Sequence, residues 1–208
     1  MIFLFSLEAL AILLQIFEAA MFQDGFIGSA LLIILYYDFV IEIESKYDKL
    51  SGVGSTTYFN SYIDRIRKKC PCALLMFDVN GLKHTNDTLG HEAGDKLIKE
   101  VGQSIKDAVS SNGKVFRTGG DEFMAVLSTG EEGCGKEILE KTEEILRRKT
   151  DELGMQISAA SGITIWQANE DIQDAKKRVD KAMYASKKWY YQQYGNDRRG
   201  SERNPQPY

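Results

Sequence analysis

Two long apolar runs open the chain. The first covers residues 1–22, and the second covers residues 26–41 after the polar sequence QDG at 23–25. Each run approaches the roughly 20 residues that a helix needs to cross the hydrocarbon core of a bilayer. The pattern predicts an apolar helical hairpin over residues 1–45, with a short acidic turn at 23–25, inserted in a membrane.

Three polar residues and the first lysines refine this prediction. Glu8, Gln15 and Glu18 share one helical face, and polar groups inside a membrane normally face protein or water. Lys46 and Lys49 are the first basic residues, so the positive-inside tendency places both hairpin ends and the remaining domain on the cytoplasmic side of the inner membrane. Two alternatives stay open: a soluble, dimerising helix pair, and the end of a larger helical bundle. A cleaved signal peptide is disfavoured, because no basic residue precedes the first apolar run.

Beyond residue 45, short apolar runs alternate with amphipathic stretches. The sequence ALLMFDV at 73–79 is typical of a buried strand, and residues 95–109 place five aliphatic side chains on one side of a helix. Strands and helices alternate irregularly around one hairpin, which predicts an α+β domain over residues 46–194 with a mixed central sheet flanked by helices. Residues 195–208 are polar and are predicted to form a flexible tail. The other predicted elements are helices at 58–69, 136–148 and 172–191 and strands at 114–118, 122–128 and 156–165.

Net charge and cysteine content argue against two classes of function. The 208 residues carry a formal net charge of -4, but residues 1–45 hold six acidic and no basic side chains, so residues 46–208 carry about +2. A nearly neutral domain lacks the basic face that nucleic-acid binding requires, and we expect no nucleic-acid partner. Cys70, Cys72 and Cys134 lack paired C-x-x-C spacing, which indicates reduced thiols rather than disulfides or a zinc site.

Two separated stretches carry the candidate chemistry. In the first, Asp78 ends a predicted strand, and the Asn80–Gly81 turn that follows has N–H groups that can point at phosphate oxygens. In the second, TGGDEF at 118–123 sets Asp121 at the corner of the predicted hairpin. If the hairpin lies beside the strand, Asp78 and Asp121 approach each other and, with a triphosphate, form a magnesium site, because both ligands are hard oxygens.

Lys83 and two glycines fit the same site. The Lys83 ammonium supplies a point charge for the anion, and Gly119 and Gly120 permit a positive φ and the close approach of a nucleotide to the backbone. Alone, a Gly-Gly-acid hairpin is usually an ordinary turn, and Asn86 and His91 usually act as local stabilisers of caps and turns. The joint occurrence of the two stretches favours a nucleotide and metal site.

Together, DVNGLKHTNDTLGHEAGD at 78–95 and RTGGDEF at 117–123 closely resemble the signature of GGDEF-domain diguanylate cyclases. The resemblance implies a fold like the palm of nucleotidyl cyclases and polymerases, and a homodimer in which each domain binds one GTP. Each 3'-hydroxyl would attack the α-phosphate of the opposite GTP, giving cyclic di-GMP and pyrophosphate with Mg²⁺ or Mn²⁺ as cofactor. The other matching segments are DKLSG at 48–52, SAASG at 158–162 and VDKAMYASK at 179–187.

The resemblance also implies a role for each matching residue. Asp78 and Asp121 would ligate the metal, with the Val79 carbonyl assisting. Asn86 and Asp95 would hydrogen-bond the guanine edge, where a carboxylate that accepts from N–H groups disfavours adenine. The implied catalytic residues are Asp121, Glu122 and Lys83, and the implied further substrate contacts are Leu82, Lys187, Gly119 and Gly120.

The chain departs from the family pattern at several positions. Gly54–Ser55 replace a common Asn-Arg pair, and Tyr191 lies where a glycine-arginine-asparagine run is common. These departures leave an alternative, a catalytically degenerate GGDEF domain that acts as a GTP-binding or protein-interaction signalling module.

Ser110 and Gly113 replace the Arg and Asp of an inhibitory product site, which predicts no feedback inhibition there. A third hypothesis is a membrane receptor in which the apolar region senses a signal and the cyclase domain produces the response.

Overall fold

The computed structural model describes residues 2–67 and 71–194, and it divides the chain into two units at Glu44 and Ser45. The tail predicted at 195–208 lies outside the described residues. The helices are α1 (Ile2–Ser45), α2 (Thr56–Ile66), α3 (Leu82–Leu89), α4 (His91–Val109), α5 (Glu132–Leu153) and α6 (Ile172–Tyr194). The strands are β1 (Cys72–Val79), β2 (Gly113–Arg117), β3 (Glu122–Leu127) and β4 (Ala159–Trp166).

The N-terminal unit is one helix and not a hairpin. α1 runs without interruption through 44 residues, including the predicted turn at 23–25. The segment contains no proline, and one glycine inside a helix costs only about 1 kcal/mol, which the good helix formers on both sides offset. The predicted hairpin is therefore wrong, and a helix that stays continuous crosses a membrane once, so it cannot place both of its ends on the cytoplasmic side.

α1 contains one segment with the length and composition of a membrane crossing. Among the described residues this segment is Phe26–Ser45, with a mean hydropathy of 1.9, and none of it is buried within the protein. At a rise of 1.5 Å per residue, 44 helical residues extend roughly 66 Å, about twice the thickness of the hydrocarbon core.

The second unit is built on a four-stranded sheet with the order β2-β3-β1-β4. β1 lies between β3 and β4, and its eight residues are all buried, which explains its uninterrupted apolar sequence. All three ladders are antiparallel, so the expectation of a mixed sheet is corrected. Within the described ranges, the parallel pairing is limited to a single bridge between Gly54 and Phe116. Short connections such as 118–121 favour antiparallel neighbours.

Helices cover both faces of the sheet, as predicted. One core contains Leu97, Val101 and Ile105 of α4 with Phe77 and Phe123 of the sheet. The opposite core is formed by side chains from α2 and α6 that pack on the alternate residues of the same strands. This alternation places successive side chains of β1 in different cores and fixes the register that brings the strand ends together.

α3 is an element that the sequence pattern did not predict. It directly follows the Asn80–Gly81 turn, and Gly81 adopts φ 70°, in the left-handed region. None of its residues is fully buried, so its sequence has no apolar stripe with the helical period of 3.6 residues that would have predicted a helix. α3 carries Leu82 and Asn86, two of the implied substrate contacts, and Lys83, one of the implied catalytic residues.

Candidate active site

Three acidic residues lie at the ends of two neighbouring strands. Asp78, on β1, is only 5% exposed, and its partner across the ladder is Glu122 on β3. The Val79 N–H donates to the Asp121 carbonyl at 2.9 Å, which fixes the Asp121 backbone beside the end of β1. The hairpin therefore lies beside the strand, as the sequence analysis required. Asp121 and Glu122 are half-buried.

The two glycines form the turn between β2 and β3, but neither adopts a positive φ. The Thr118 and Gly119 N–H groups both donate to the Glu122 carbonyl, at 2.9 and 3.3 Å, and close the turn. The expectation of a positive φ at Gly119 and Gly120 is thus corrected, and the left-handed glycine near this site is Gly81. A Cβ on Gly120 would meet no atom within 4 Å, so its backbone lies open to a ligand.

Arg117 holds this turn and ties it to the segment that follows α1. Its Nη2 and Nε donate to the Gly120 carbonyl at 2.7 and 3.2 Å, and its Nη1 donates to Asp48 Oδ1 at 3.0 Å. Gly54 completes the connection, because it accepts from the Arg117 N–H at 2.7 Å and donates to the Val115 carbonyl at 2.9 Å. We call Asp48, Arg117 and Gly120 the turn clamp.

The charge of Asp48 is stabilised where it lies. Burial raises the pKa of this carboxyl, but hydrogen bonds from the Ser51 side chain and backbone and the Arg117 guanidinium outweigh it, so that the pKa lies below its ordinary value of 3.8. The Ser51 N–H and hydroxyl donate to Asp48 Oδ1 at 2.8 and 2.6 Å. Asp48 is therefore ionised at neutral pH and available to Arg117.

Lys187 reaches the same site from α6. Its Nζ donates to Asp78 Oδ1 at 2.6 Å, and the Asp78 side chain is only 7% exposed. α6 lies close enough for this contact because Gly162 of β4 has no side chain: a Cβ there would lie 2.4 Å from the Met183 N. The structure thus places Lys187 on a predicted metal ligand, while its predicted contact with phosphate stays a prediction.

The packing of α3 on α4 determines where Asn86, a predicted guanine contact, lies. A Cβ on Gly94 would lie 1.9 Å from Asn86 Oδ1, so the absence of a side chain at Gly94 lets the Asn86 amide lie against α4. The next residue in α4 is Asp95, which is exposed, as is Lys83 on α3. Leu82 packs partly buried against the core. The Asn86 amide therefore lies against the turn of α4 that directly precedes Asp95.

The donor set fits a hard divalent cation better than a soft one. Within residues 2–67 and 71–194, no group of three or more His, Cys, Asp or Glu side chains has the geometry of a metal site. A zinc site with an all-protein ligand set needs such a group, whereas Mg²⁺ is usually bound by one or two carboxylates together with substrate phosphates and water. Asp78 and Asp121 are the carboxylates that would hold such a cation, and an anionic substrate would complete the ligands.

Sequence reasoning missed the roles of Arg117 and Asn80. Arg117 directly precedes TGG, but its partner Asp48 is 69 residues away, and no local spacing reveals that pair. Asn80 is 4% exposed, its Nδ2 donates to Ser158 Oγ at 3.2 Å, and its Oδ1 has no partner among the described residues.

Comparison with known proteins identifies the family of this chain. The family model described as "Diguanylate cyclase, GGDEF domain" matches residues 45–192. Among curated proteins, uncharacterized membrane proteins of Staphylococcus aureus strains USA300 and NCTC 8325 are each 38% identical to the chain over 91 residues. The match covers 41% of this chain and 26% of each relative, so it spans about a quarter of their length.

Solved structures share the fold. The GGDEF domain of DgcB from Caulobacter crescentus, in complex with c-di-GMP, has a TM-score of 0.62 and 26% identity over 70% of this chain and 89% of that one. Diguanylate cyclase SiaD from Pseudomonas aeruginosa, in complex with its activator SiaC, has a TM-score of 0.64 over 77% of this chain and 66% of that one. At 22% identity, the likeness to SiaD shows the fold alone.

Proposed function

Because the chain belongs to the GGDEF domain family, we propose that it is a diguanylate cyclase that condenses two GTP into cyclic di-GMP. Each 3'-hydroxyl loses its proton and forms a new bond to the α-phosphorus of the opposite GTP. The bond between that phosphorus and the bridging oxygen to the β-phosphate breaks, and two pyrophosphates leave. The observation that carries the proposal is the position of Asp78, Asp121 and Glu122 at the neighbouring ends of β1 and β3.

The metal would be held at these strand ends. Asp78 and Asp121 are the proposed ligands, with the Val79 carbonyl assisting and Glu122 in support. Bound Mg²⁺ or Mn²⁺ would neutralise charge on the phosphates as the new bond forms. Because Asp78 is buried, the substrate could reach a cation bound to Asp78 from few directions. The turn clamp keeps Asp121 in place.

The remaining substrate contacts follow from the α3–α4 pair and the turn. Asn86 and Asp95 would bind the guanine edge, and Asp95 would accept from its N–H groups, which adenine does not present in the same pattern. Lys83 and Lys187 would contact phosphate, and Leu82 would line the base side of the site. Gly119 and Gly120 would leave room for the nucleotide beside the turn.

One domain supplies half of the reaction centre, so the active form is a homodimer in this proposal. The two bound GTP molecules would face each other, each providing the 3'-hydroxyl for the other's α-phosphate. α1 would hold the two copies in the membrane, and the resulting high effective concentration would favour pairing of the domains. The apolar Phe26–Ser45 segment and the membrane-protein relatives support the placement of α1 in a membrane. The domain would lie in the cytoplasm, because the first lysines, Lys46 and Lys49, come at the end of this segment.

A second candidate is a degenerate module that binds GTP or a protein partner without turnover. The observation that favours it is the 2.6 Å hydrogen bond from Lys187 Nζ to Asp78. The ammonium of Lys187 already neutralises the charge of the carboxylate that a metal would need. The replacement of the common Asn-Arg pair by Gly54–Ser55 is weaker support, because both residues have structural roles here. Gly54 pairs with β2. The Ser55 hydroxyl caps α2 by accepting from the Tyr58 N–H at 3.1 Å.

The product formed from GTP separates the two candidates. The purified full chain, in detergent or nanodiscs, is incubated with Mg²⁺ and GTP, and the products are identified by mass spectrometry. We expect cyclic di-GMP and pyrophosphate in a 1:2 ratio, and no adenine-containing dinucleotide when ATP is added with GTP. GTP binding without either product would overturn the cyclase and support the degenerate module.

A further inference from the structure

A row of tyrosine rings covers one side of α2 in the domain. The ring centroids of Tyr47 and Tyr58 lie 6.3 Å apart, and those of Tyr58 and Tyr62 lie 6.2 Å apart. Tyr58 and Tyr62 also contact Phe116, a fully buried residue of β2, at 5.4 and 5.3 Å. Tyr47 is 57% exposed, and Tyr58 and Tyr62 are half-buried. We call Tyr47, Tyr58 and Tyr62 the tyrosine row. Contiguous exposed apolar surface on a folded domain often marks a contact site.

Two cations lie at one end of the tyrosine row. The Arg65 guanidinium carbon lies 5.4 Å from the centroid of the Tyr62 ring, and the Lys114 ammonium lies 6.0 Å from it. Both of these basic residues are exposed. Tyr58, Tyr62 and Arg65 are spaced by four and three residues, so they share one face of α2. This face therefore combines tyrosine rings with positive charge.

The acidic residues nearby do not cancel this positive charge. The one acid in the sequence of α2, Asp64, lies about 100° around the helix from Arg65. Asp48, the acid next to Tyr47 in the sequence, already belongs to the turn clamp. The two acids in the last turn of α1 are matched in number by two lysines that follow it: Glu42, Glu44, Lys46 and Lys49. The surface around the tyrosine row consequently favours an anionic partner.

Hydrogen bonds at the start of the domain tie α2 to Ser45, the last residue of the apolar segment Phe26–Ser45. The Ser55 hydroxyl, which caps α2, donates to the Ser45 carbonyl, and the Ser55 N–H donates to the Lys46 carbonyl at 2.9 Å. The 20 residues of the segment extend roughly 30 Å as a helix, which equals the thickness of the hydrocarbon core. In the proposed membrane placement, Ser45 therefore lies at the border between hydrocarbon and headgroups.

The chain leaves little distance between Ser45 and the tyrosine row. Tyr47 follows Ser45 by two residues, so the two backbones are at most about 7 Å apart. The headgroup layer on each side of a bilayer is roughly 5–8 Å thick. Tyrosine is enriched in this layer because its ring is apolar and its hydroxyl is polar, and basic side chains bind anionic headgroups. We propose that the tyrosine row, Arg65 and Lys114 rest on the anionic lipid headgroups of the membrane that α1 enters.

Membrane contact through α2 would also affect the candidate active site. The Thr56 hydroxyl, at the start of α2, donates to the Arg117 carbonyl at 3.0 Å, and Arg117 holds Gly120 in the turn clamp. Lipid contact would therefore fix the orientation of the hairpin that carries Asp121 relative to the membrane surface. The inference rests on the proposed membrane placement of α1, and not on the reaction proposed above.

Hydroxyl-radical footprinting of the full chain in nanodiscs tests the proposal. Oxidation of each tyrosine is measured by mass spectrometry. Tyr184 on α6 is the internal reference, because its exposure of 54% nearly equals the 57% of Tyr47. In nanodiscs of phosphatidylcholine with about one third phosphatidylglycerol, Tyr47 should be oxidised at least about 3-fold more slowly than Tyr184. Equal oxidation of the two tyrosines would overturn the proposal.

Charge variants test the lipid chemistry separately from the local structure. In the parent, Tyr47 and Tyr62 should be oxidised more slowly in nanodiscs with phosphatidylglycerol than in phosphatidylcholine alone. In the R65E/K114E variant, the lipid composition should make no difference to either tyrosine. The matched control is K141E/K181E, which replaces two exposed lysines of α5 and α6 and should behave like the parent. A lipid dependence that survives in R65E/K114E, or that the parent lacks, would contradict the assigned charge contacts.

Two further outcomes can be recognised in the same preparations. Protection of Tyr47 only in nanodiscs that hold two chains would show that the tyrosine row binds a second copy, which would overturn the contact with lipid. A chain that does not co-elute with the nanodiscs would overturn the membrane placement of α1 and this inference with it. Pyrophosphate release measured in the same samples reports on the proposed reaction independently.

Discussion

Gly94 shows how one missing side chain shapes the site. The place of its absent Cβ is taken by the Asn86 amide, with Oδ1 only 1.9 Å from that position, and Asp95 is the next residue. A methyl group at Gly94 would therefore push Asn86 away from its place beside Asp95. Because the atoms in the way belong to the ends of the Asn86 and Leu82 side chains and not to the backbone, the fold itself should tolerate the change.

The substitution Gly94→Ala consequently separates nucleotide binding from stability. We expect its KM for GTP to rise about 10-fold, the equivalent of about 1.4 kcal/mol, because a guanine contact is lost. The free energy of unfolding should change by less than about 1 kcal/mol, since alanine favours a helix over glycine. Steady-state kinetics and chemical denaturation measure the two quantities.

Gly133→Ala in α5 is the matched control. It also replaces a helical glycine, but its new Cβ would meet no atom within 4 Å, and neither KM nor the fold should suffer. An unchanged KM in the Gly94→Ala variant would contradict the placement of guanine beside Asn86.

Some single residues could be predicted from the sequence and others could not. Asp78 and Asp121 were recognisable because one ends an apolar strand and the other lies at a hairpin corner, two positions that local pattern defines. The bond from Arg117 to Asp48 and the bond from Lys187 to Asp78 join residues 69 and 109 positions apart. Such pairs depend on the register of the sheet and the packing of α6, which local pattern does not contain.

At the scale of elements, the turn clamp connects the segment after α1 to the hairpin that carries Asp121. Asp48 and Arg117 are partly buried, with side-chain exposures of 25% and 15%. The pKa of Asp48 is lowered on balance, because the hydrogen bonds from Ser51 and Arg117 outweigh burial. A carboxyl whose pKa is lower in the folded chain adds stability above its unfolded pKa and loses it as the pH falls through the folded pKa.

The stability of Asp48→Ala should therefore depend on pH in a defined direction. We expect this variant to be about 1–3 kcal/mol less stable than the parent at pH 7, because Arg117 and Ser51 lose a charged partner. The difference should shrink as the pH falls below the ordinary pKa of 3.8 and through the lower pKa of the folded chain, where the parent's Asp48 becomes protonated. Urea unfolding at several pH values gives the curves, with the exposed Asp151→Ala as control. A difference that stays constant down to pH 2 would count against the clamp.

The elements that were predicted correctly have strong local patterns. β1 is apolar throughout because both of its faces are covered, and α4 carries an unambiguous apolar stripe. The error at residues 23–25 arose because a Gly and two polar residues were taken as a turn, although helix geometry tolerates them without proline. α3 was missed because its residues are only partly buried and its start depends on the left-handed Gly81.

At the scale of the whole molecule, α1 and the domain have different proposed tasks. The domain contains every proposed active-site residue, and α1 would bring two domains together in the membrane. A fragment of residues 45–208 should then show specific activity that rises with its concentration, because dimers form only by collision. The full chain in nanodiscs should show much less dependence on concentration.

Pyrophosphate release at a series of protein concentrations measures this difference. The fragment is first checked by circular dichroism and by GTP-analogue binding, so that a folding defect is recognised. Specific activity independent of concentration in both proteins would contradict the role given to α1.

The most direct test of the central claim is pyrophosphate release from Mg²⁺ and GTP by the full chain and its Asp121→Asn variant. Asp121 is half-buried and its backbone makes the contact with Val79, so the variant should fold normally. If the carboxylates hold the metal on the triphosphate, the parent releases pyrophosphate and the variant releases it at least about 100-fold more slowly. Equal rates in the two proteins, or no pyrophosphate from the parent, would contradict the account.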